Sequence, residues 1–264
     1  MQPQSHDLVL LDRVHKGVDI KTHAQILFGG LQLEMGPFYP LCIDCLNATR
    51  TGAAAWKVFR RVQRAFHLAR YVEHVAPLGG AMAECGVFQG FSALLTCRVR
   101  QGRDPAFRGR DQFLLDSFEG LSAPVTEDML EYSGEGGGVT RRPSHAKGHF
   151  AVGMDSVRER FGDFPEVGFI KGWLPGTLSQ LPERKWSFVH IDVDLYEPTL
   201  GCLEYFYPRM MPGGVILNDD FSSPLFPGGG RAWIEFFDRV GGSYAVLDTG
   251  QSVFMKPSFA ERAV

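Results

Sequence analysis

The 264-residue chain has a mass of 29.3 kDa, which is enough for one sizeable hydrophobic core. Its hydrophobic fraction of 44% and its charged fraction of 22% are those of an ordinary globular protein. A net charge of −3 and a pI near 6.2 exclude a general attraction to nucleic acids or anionic membranes, so we predict neither as a partner.

The N-terminal segment and the cysteines indicate where in the cell the protein is expected. Residues 1–17 (MQPQSHDLVLLDRVHKG) lack the basic and long apolar segments of a signal peptide, and no apolar run reaches membrane-spanning length. Five irregularly spaced cysteines argue against a disulfide framework and favour a reducing compartment, so we expect a cytoplasmic protein. Cys42 and Cys45 have the spacing of a zinc or redox pair, but without a second such pair we interpret them as partly buried thiols.

The predicted elements begin after residues 1–50, which we interpret as an irregular N-terminal arm or cap, with residues 51–264 forming the main domain. An amphipathic helix is predicted over residues 53–77, because apolar residues recur three or four positions apart from Trp56 to Val72. Its other face is basic (Lys57, Arg60, Arg61, Arg64 and Arg70). We favour a solvated helix face for these residues over a surface that binds phosphate or nucleic acid.

From residue 80 onward, predicted strands alternate with helices. Strands are predicted over 80–88, 111–116, 167–172, 186–194 and 213–221, with helices over 92–100, 156–162, 197–210 and 231–241 and a closing hairpin over 244–256. This alternation predicts an α/β fold with a mostly parallel, seven-stranded sheet that is covered on both faces. Carboxylates follow several strands and are expected to converge on one rim (Glu84, Asp116, Asp192, Asp219 and Asp220).

The first rim cluster predicts a nucleoside site. The segment AECGVFQGFSA (83–93) follows a strand and opens a helix, and Gly86 and Gly90 permit a tight turn close to a ligand. Its spacing is not the Gly-x-Gly-x-x-Gly of dinucleotide-binding proteins. Glu84 suits a ligand with an ammonium group, and Asp116 ends the next strand, where an acid binds both ribose hydroxyls. The alternative is an ordinary strand–turn–helix with charged corners.

The second rim cluster predicts a divalent cation. HIDVD (190–194) and LNDDF (217–221) place four carboxylates at neighbouring strand ends, where they repel unless a cation neutralises them. All-oxygen ligation favours Mg²⁺ or Mn²⁺, with Asp192, Asp219 and Asp220 as ligands. If the strand continues, Asp194 lies on the same face and can act as the general base. The alternative is that these aspartates cap a turn and a helix. His190 is not expected among the ligands.

Together the two clusters predict an acceptor hydroxyl that is deprotonated beside a cation and an activated methyl group. The segment AECGVFQGFSA resembles motif I of the catechol-type, metal-dependent O-methyltransferases. LLDSFEGL, KGWLPGTL, HIDVDLYEPTLGCLEYFYPRMMPGGVILNDDF and GGGRAWIEFF resemble the macrocin O-methyltransferase (TylF/MycF-like) family, over most of the chain.

The resemblance implies a Rossmann-like class I methyltransferase fold, binding of S-adenosylmethionine and Mg²⁺, methylation of sugar hydroxyls in natural product and antibiotic biosynthesis, and a homo-oligomer. It matches Asp192, Asp219 and Asp220 to the metal ligands and Asp194 to the base. It matches Glu84, Gly86 and Gly90 to the loop around the methionine end of the cofactor, and Asp116 to the ribose acid. Further predicted cofactor contacts are Phe88, Ser92, Ser117 and Trp173.

Two segments are longer than the family pattern or a compact domain would predict. Residues 219–233 (DDFSSPLFPGGGRAW) form a longer and more aromatic connection than the family pattern, so the acceptor is predicted only as a hydroxylated, glycosidic small molecule. Residues 121–150 are polar and long for a connection, which favours a mobile lid or a solvated loop. The rival functions are a catechol-type O-methyltransferase that acts on an aromatic diol, a nucleotide-binding oxidoreductase and a non-catalytic scaffold.

Overall fold

The computed structural model describes residues 38–49, 55–133 and 138–258. The α-helices in these ranges are α1 (Phe38–Ala48), α2 (Ala55–Val75), α3 (Phe91–Arg103), α4 (Met154–Arg158), α5 (Tyr196–Phe206) and α6 (Pro227–Val240). The strands are β1 (Ala81–Cys85), β2 (Gln112–Asp116), β3 (Met129–Ser133), β4 (Val139–Pro143), β5 (Gly168–Lys171), β6 (Trp186–Ile191), β7 (Met210–Asn218), β8 (Ala245–Val246) and β9 (Ser252–Met255).

Seven of these strands form one sheet in the order β5-β2-β1-β6-β7-β9-β8. The pairings from β5 to β7 are parallel, whereas β9 runs antiparallel to both β7 and β8. This topology confirms the predicted α/β fold with its antiparallel C-terminal hairpin. The chain leaves β1 in one direction towards β2 and returns on the other side at β6, so the crevice between β1 and β6 is the switch point where such sheets bind ligands.

Two apolar layers hold the sheet. Successive residues of β6 point to opposite faces, so that Phe188 joins the layer under α1, α2 and α3, and Val189 joins the layer under α5 and α6. Both side chains are buried, and burying each such side chain contributes about 1.5–3 kcal/mol. The central strands are buried along their whole length, as expected for a parallel sheet covered on both faces. No helix in the described ranges is long and apolar enough to span a bilayer.

The expectation of an irregular arm over residues 1–50 is wrong for its last part. Residues 38–48 form α1, whose Phe38, Cys42 and Leu46 are buried in the first apolar layer. The first 37 residues of the arm lie outside the described residues. Cys42 and Cys45 are free thiols, as expected, but they are fully and not partly buried, and burial raises the pKa of Cys45 to about 12.

Three further boundaries differ from the sequence-based expectation. The strand predicted to run through HIDVD ends at Ile191, and Asp194 has a φ of 61°, so the chain has left the extended conformation there. Residues 121–150 contain the antiparallel hairpin β3–β4 and are not a structureless loop. Helix α6 begins four residues before the predicted Arg231, because Pro227 and three glycines form its first turn.

Candidate active site

A cavity of about 380 Å³ opens at the carboxyl ends of the central strands. Its volume lies in the range of small-molecule sites. The ends of β1, β6 and β7 are level, since Cys85 pairs with Ile191 and Ile191 pairs with Asn218. The residues that follow these ends therefore meet at one rim, and the cavity is lined there by Gly86, Asp116, Asp192, Asp194, Asp219 and Asp220.

Gly86 lets the turn after β1 approach the turn after β6. Its φ is 85°, and an added Cβ would lie 1.8 Å from the carbonyl oxygen of Asp192. The Gly86 amide donates to Leu115 O at 2.9 Å, and the Asp192 amide donates to Cys85 O at 2.8 Å. Only glycine fits this position, because a side chain would push the turn after β1 away from the turn after β6.

Asp116 holds the same turn from the other side. Its Oδ2 accepts hydrogen bonds from the amides of Val87 (2.7 Å) and Phe88 (3.1 Å), and its Oδ1 accepts one from the amide of Phe118 (2.6 Å). The acid predicted to bind ribose thus lies at the cavity wall and also orders the glycine turn.

The other predicted cofactor contacts divide into two groups. Phe88, Ser92, Ser117 and Trp173 line the cavity. The indole N–H of Trp173 and the hydroxyl of Ser117 both donate to Gly120 O, at 3.2 and 2.7 Å, which fixes the loop after β2.

Glu84 and Gly90 lie behind the cavity wall. Glu84 is 1% exposed; its Oε1 accepts a hydrogen bond from Ser92 Oγ at 2.6 Å, and its Oε2 lies 3.5 Å from His190 Nδ1. Gly90 begins α3 with a φ of 83° and packs against Phe161. Their role in cofactor binding stays a prediction, and their placement favours support of the turn over direct contact.

The structure brings the predicted metal ligands together. Carboxylate oxygens of Asp192, Asp219 and Asp220 all lie within 4.8 Å of one another. Asp220 Oδ2 accepts a hydrogen bond from the amide of Asp194 at 2.8 Å, which fixes the turn that carries the predicted base. Asp194 is strained at its positive φ, and such strain in a non-glycine residue is typical of functional sites.

The glycines of α6 complete this turn. An added Cβ on Gly229 would lie 2.9 Å from Asp220 Cβ, and the Gly229 amide donates to Asp194 O at 3.3 Å. An added Cβ on Gly228 would lie 1.8 Å from Asp128 Oδ1. The glycines in the first turn of α6 therefore allow it to pack directly against Asp128 and Asp220.

Burial and mutual repulsion set the charges of the cluster. Burial raises the pKa of Asp192, and the neighbouring Asp219 and Asp220 raise it further. Burial likewise raises the pKa of Asp194 and of Asp220 well above the ordinary value. Burial alone would raise the pKa of Asp219 as well, but His190 and Arg64 lower it to about 2. The four carboxylates thus differ in their electrostatic surroundings, and Asp219 is the one that neighbouring cations stabilise in its ionised form.

Sequence reasoning missed the cations around Asp219. Arg64 Nη1 forms an ion pair with Asp219 Oδ2, and Arg61 lines the same cavity, so the prediction of a solvated face is wrong for both. Arg70 agrees with that prediction, because it is exposed and pairs with Glu73 at 3.1 Å. The spacing of three residues between Arg61 and Arg64 places both on one side of α2, but it does not indicate that this side faces the cavity.

His190 and Gln251 complete the surroundings of Asp219. Gln251 Nε2 donates to Asp219 Oδ1 at 2.7 Å, and Thr249 Oγ1 donates to Gln251 Oε1 at 2.8 Å. His190 Nε2 lies 3.6 Å from Asp219 Oδ1. Burial would lower the pKa of His190, but Asp219 and Glu84 on either side raise it well above its ordinary value. The two carboxylates thus favour the protonated form of the His190 imidazole.

Known proteins are similar to this chain in sequence and in fold. A family model described as macrocin-O-methyltransferase (TylF) matches residues 51–240. The chain is 32% identical over 149 residues to the 8-demethyl-8-(2,3-dimethoxy-alpha-L-rhamnosyl)-tetracenomycin-C 4'-O-methyltransferase of Streptomyces olivaceus, covering 54% of this chain and 53% of that protein. It is 25% identical over 184 residues to mycinamicin III 3''-O-methyltransferase of Micromonospora griseorubida, covering 68% and 69%.

A third relative, the demethyldecarbamoylnovobiocin O-methyltransferase of Streptomyces niveus, is 30% identical over 146 residues, covering 54% of this chain and 53% of that protein. The chain thus spans about half the length of the first two curated relatives that it matches. Among solved structures, the fold is similar to that of the calicheamicin methyltransferase CalS11, with a TM-score of 0.63 and 17% identity over 82% of this chain and 91% of that chain.

The fold is also similar to that of the O-methyltransferase NovP, with a TM-score of 0.58 and 24% identity over 74% of this chain and 80% of that chain. At these identities the structural likeness concerns the fold alone. The family match, by contrast, extends over well more than half of the sequence. The chain therefore belongs to the macrocin-O-methyltransferase (TylF) family, as its sequence motifs indicate.

Proposed function

We propose that this protein transfers a methyl group from S-adenosylmethionine to a hydroxyl group of a glycosylated natural product, with Mg²⁺ or Mn²⁺ bound in the same cavity. The observation that carries the proposal is the meeting of the glycine turn, Asp116 and the aspartate cluster around one cavity. A nucleoside site and a cation site are thereby adjacent, as transfer to a polarised hydroxyl requires.

The relatives narrow the substrate class. They are named as methyltransferases that act on a rhamnosyl-tetracenomycin, on mycinamicin III and on demethyldecarbamoylnovobiocin. Because these relatives all act on natural products, we propose a glycosidic acceptor for this protein as well. An aromatic diol is the rival acceptor, and the same cavity chemistry would serve it.

The residues fit a divalent cation. Asp192, Asp219 and Asp220 supply oxygen ligands, which Mg²⁺ and Mn²⁺ prefer. The raised pKa values of Asp192 and Asp220 indicate carboxylates that lack sufficient positive charge nearby, which a bound cation would supply. When bound, such a cation polarises an acceptor hydroxyl and lowers its pKa.

The residues also fit a nucleoside cofactor with an amino-acid end. The Gly86 turn offers close backbone approach, and Phe88 and Trp173 offer aromatic surfaces at the cavity wall. Asp116 is the proposed ribose acid. When bound, S-adenosylmethionine supplies the activated methyl group. Glu84 and Ser92, which hydrogen-bond each other, fix the start of α3 beneath this turn.

Asp194 is the proposed general base. Its carboxylate lines the cavity beside the cluster, and its backbone is held by Asp220 and Gly229. Its raised pKa moves it towards the range of a useful base, so that it accepts the hydroxyl proton at a carboxylate oxygen. Phe150 and Phe226 also line the cavity, with ring centroids 6.1 Å apart, and add apolar surface to its wall.

The test is methyl transfer from S-adenosylmethionine to a panel of glycosylated natural products and catechols, followed by mass spectrometry with and without EDTA. We expect transfer to a glycosidic acceptor that EDTA abolishes and Mg²⁺ restores. Asp194→Asn should lose turnover while it still binds S-adenosylhomocysteine. Transfer to catechols alone favours the rival acceptor, and unchanged turnover in Asp194→Asn removes Asp194 from the role of base.

Other expectations from the sequence stay proposals. The five free, buried cysteines support a cytoplasmic location. A homo-oligomer and a domain boundary near residue 50 are proposed from the family resemblance and the sequence pattern.

A further inference from the structure

Arg64 pairs with one of the two carboxylate oxygens of Asp219. Asp219 Oδ1 accepts a hydrogen bond from the amide of Gln251 at 2.7 Å and lies 3.6 Å from His190 Nε2. The other oxygen, Oδ2, forms the ion pair with Arg64 Nη1. Both oxygens of Asp219 therefore already have partners, and the partner of Oδ2 is a guanidinium cation.

The pair joins distant parts of the chain inside the site. Arg64 lies on α2, 155 positions before Asp219, and the two side chains are 20% and 12% exposed. The Nε atom of Arg64 is buried without a hydrogen-bond partner within the described residues. Among the described residues, Asp219 is the carboxylate that pairs with the guanidinium directly, while Asp192 and Asp220 also attract its charge.

A second observation marks the cluster as a ligand site and not merely an acidic patch. His190 is 2% exposed and lines the cavity, where its ring nitrogens lie 3.5 Å from Glu84 Oε2 and 3.6 Å from Asp219 Oδ1 without closing a hydrogen bond to either. Polar atoms that are buried without a closed hydrogen bond require an explanation, and a bound ion is one.

We propose that Arg64 is the internal counter-ion of the metal-free site, and that a divalent cation binds only when Arg64 leaves Asp219 Oδ2. This inference rests on the proposed metal-dependent function and names a residue that regulates it. A guanidinium and a divalent cation at one carboxylate oxygen repel each other and compete for the same negative charge. Cation binding and the Arg64–Asp219 pair therefore oppose each other reciprocally.

The chain offers a matched control in Arg61. It lines the same cavity from the same helix and carries the same charge, but it has no ion pair within the described residues. Removing Arg61 changes the electrostatic potential at the cluster without removing a competitor for Asp219. The two arginines thus separate direct competition from general charge repulsion.

The experiment is calorimetric titration of the full-length protein with Mn²⁺, for wild type, Arg64→Gln and Arg61→Gln. If the pair is populated about ten to one over its open state, Arg64→Gln should bind Mn²⁺ about tenfold more tightly than wild type. Arg61→Gln should change the affinity by less than about threefold. In EDTA, Arg64→Gln should melt below wild type, and Mn²⁺ should raise its Tm by more than it raises that of wild type.

Three results overturn the inference. Equal tightening in both variants indicates general charge repulsion, and weaker binding in Arg64→Gln indicates that Arg64 supports the cation. Absence of Mn²⁺ binding in all proteins, wild type included, overturns the metal assignment itself and is thereby distinguishable. If Arg64→Gln does not fold, Arg64→Met decides, because methionine keeps an unbranched side chain for packing but carries no charge and no donor. Tighter Mn²⁺ binding in Arg64→Met supports competition, and equal or weaker binding contradicts it.

Discussion

Replacing Gly86 by alanine tests whether the site depends on close contact between the turn after β1, which contains Gly86, and the turn after β6, which contains Asp192. The new Cβ would lie 1.8 Å from Asp192 O and 2.6 Å from the Asp192 carbonyl carbon. An ordinary contact is about 3.5 Å, so the two turns would have to separate by roughly 1.7 Å. The backbone of both turns is tied to the sheet, so neither can move without losing hydrogen bonds.

The cost can be estimated from two terms. A residue with a Cβ at the Gly86 φ of 85° costs about 1–2 kcal/mol. Losing the hydrogen bond from the Asp192 amide to Cys85 O costs about 1 kcal/mol more. A loss of about 2–3 kcal/mol lowers the Tm of a protein of this size by roughly 4–12 °C. Displacing the site by more than 1 Å should also reduce kcat/KM about 100-fold or more.

The assay combines thermal melting, titration with S-adenosylhomocysteine and methyl transfer. Gly102→Ala is the matched control, because Gly102 lies in α3 with no heavy atom within 4 Å of an added Cβ. That control should be neutral or stabilised by up to about 1 kcal/mol. A Gly86→Ala protein with wild-type Tm, cofactor affinity and turnover would refute the reasoning, since the contact with Asp192 would then have no consequence.

Three further predictions follow from individual contacts. Gln251→Leu should lower the free energy of unfolding by about 1–3 kcal/mol in urea denaturation, because it leaves buried oxygens of its two partners without a hydrogen bond. It should also weaken Mn²⁺ binding about 10- to 100-fold. Unchanged affinity would show that Gln251 does not orient Asp219. Asp219→Ala should abolish Mn²⁺ binding measured by calorimetry, and retained binding would exclude Asp219 as a ligand. Trp233→Ala should cost about 3–5 kcal/mol, because the indole is fully buried. Its exposed neighbour provides the control, since Ile234→Ala should cost far less in the same denaturation experiment.

Much of the site could be predicted because it follows strand ends. The apolar runs before Asp192 and Asp219 indicate strands, and parallel strands of one sheet end at one rim. The level pairing of Ile191 with Asn218 then brings the two carboxylates together. The glycine turn and Asp116 reach the same cavity for the same reason.

The cations could not be predicted, since they depend on how α2 lies across the sheet. The sequence indicates a basic face on α2, but nothing in its spacing says which arginines turn towards a rim formed 155 residues later. Arg64 and Arg61 lie at the edge of the apolar stripe, where a small rotation of the helix decides between solvent and cavity. Tertiary packing makes that decision.

Local propensity misled the prediction at two other places. Three successive glycines are poor helix formers, so residues 227–230 look like a connection. The structure uses them to start α6, because a side chain on Gly228 or Gly229 would collide with Asp128 or Asp220. At Asp194 the reverse holds, since a strand-like sequence turns to a positive φ, held by the bond from its amide to Asp220.

The central claim is that one cavity binds a sulfur-containing nucleoside cofactor beside a divalent cation. Calorimetric titration of the purified protein with S-adenosylhomocysteine, with and without Mg²⁺ and with NAD as the control ligand, tests it most directly. We expect S-adenosylhomocysteine to bind and NAD not to bind. Binding of NAD, or of neither compound, would contradict the roles assigned to Gly86 and Asp116 and would leave the aspartate cluster serving a different reaction.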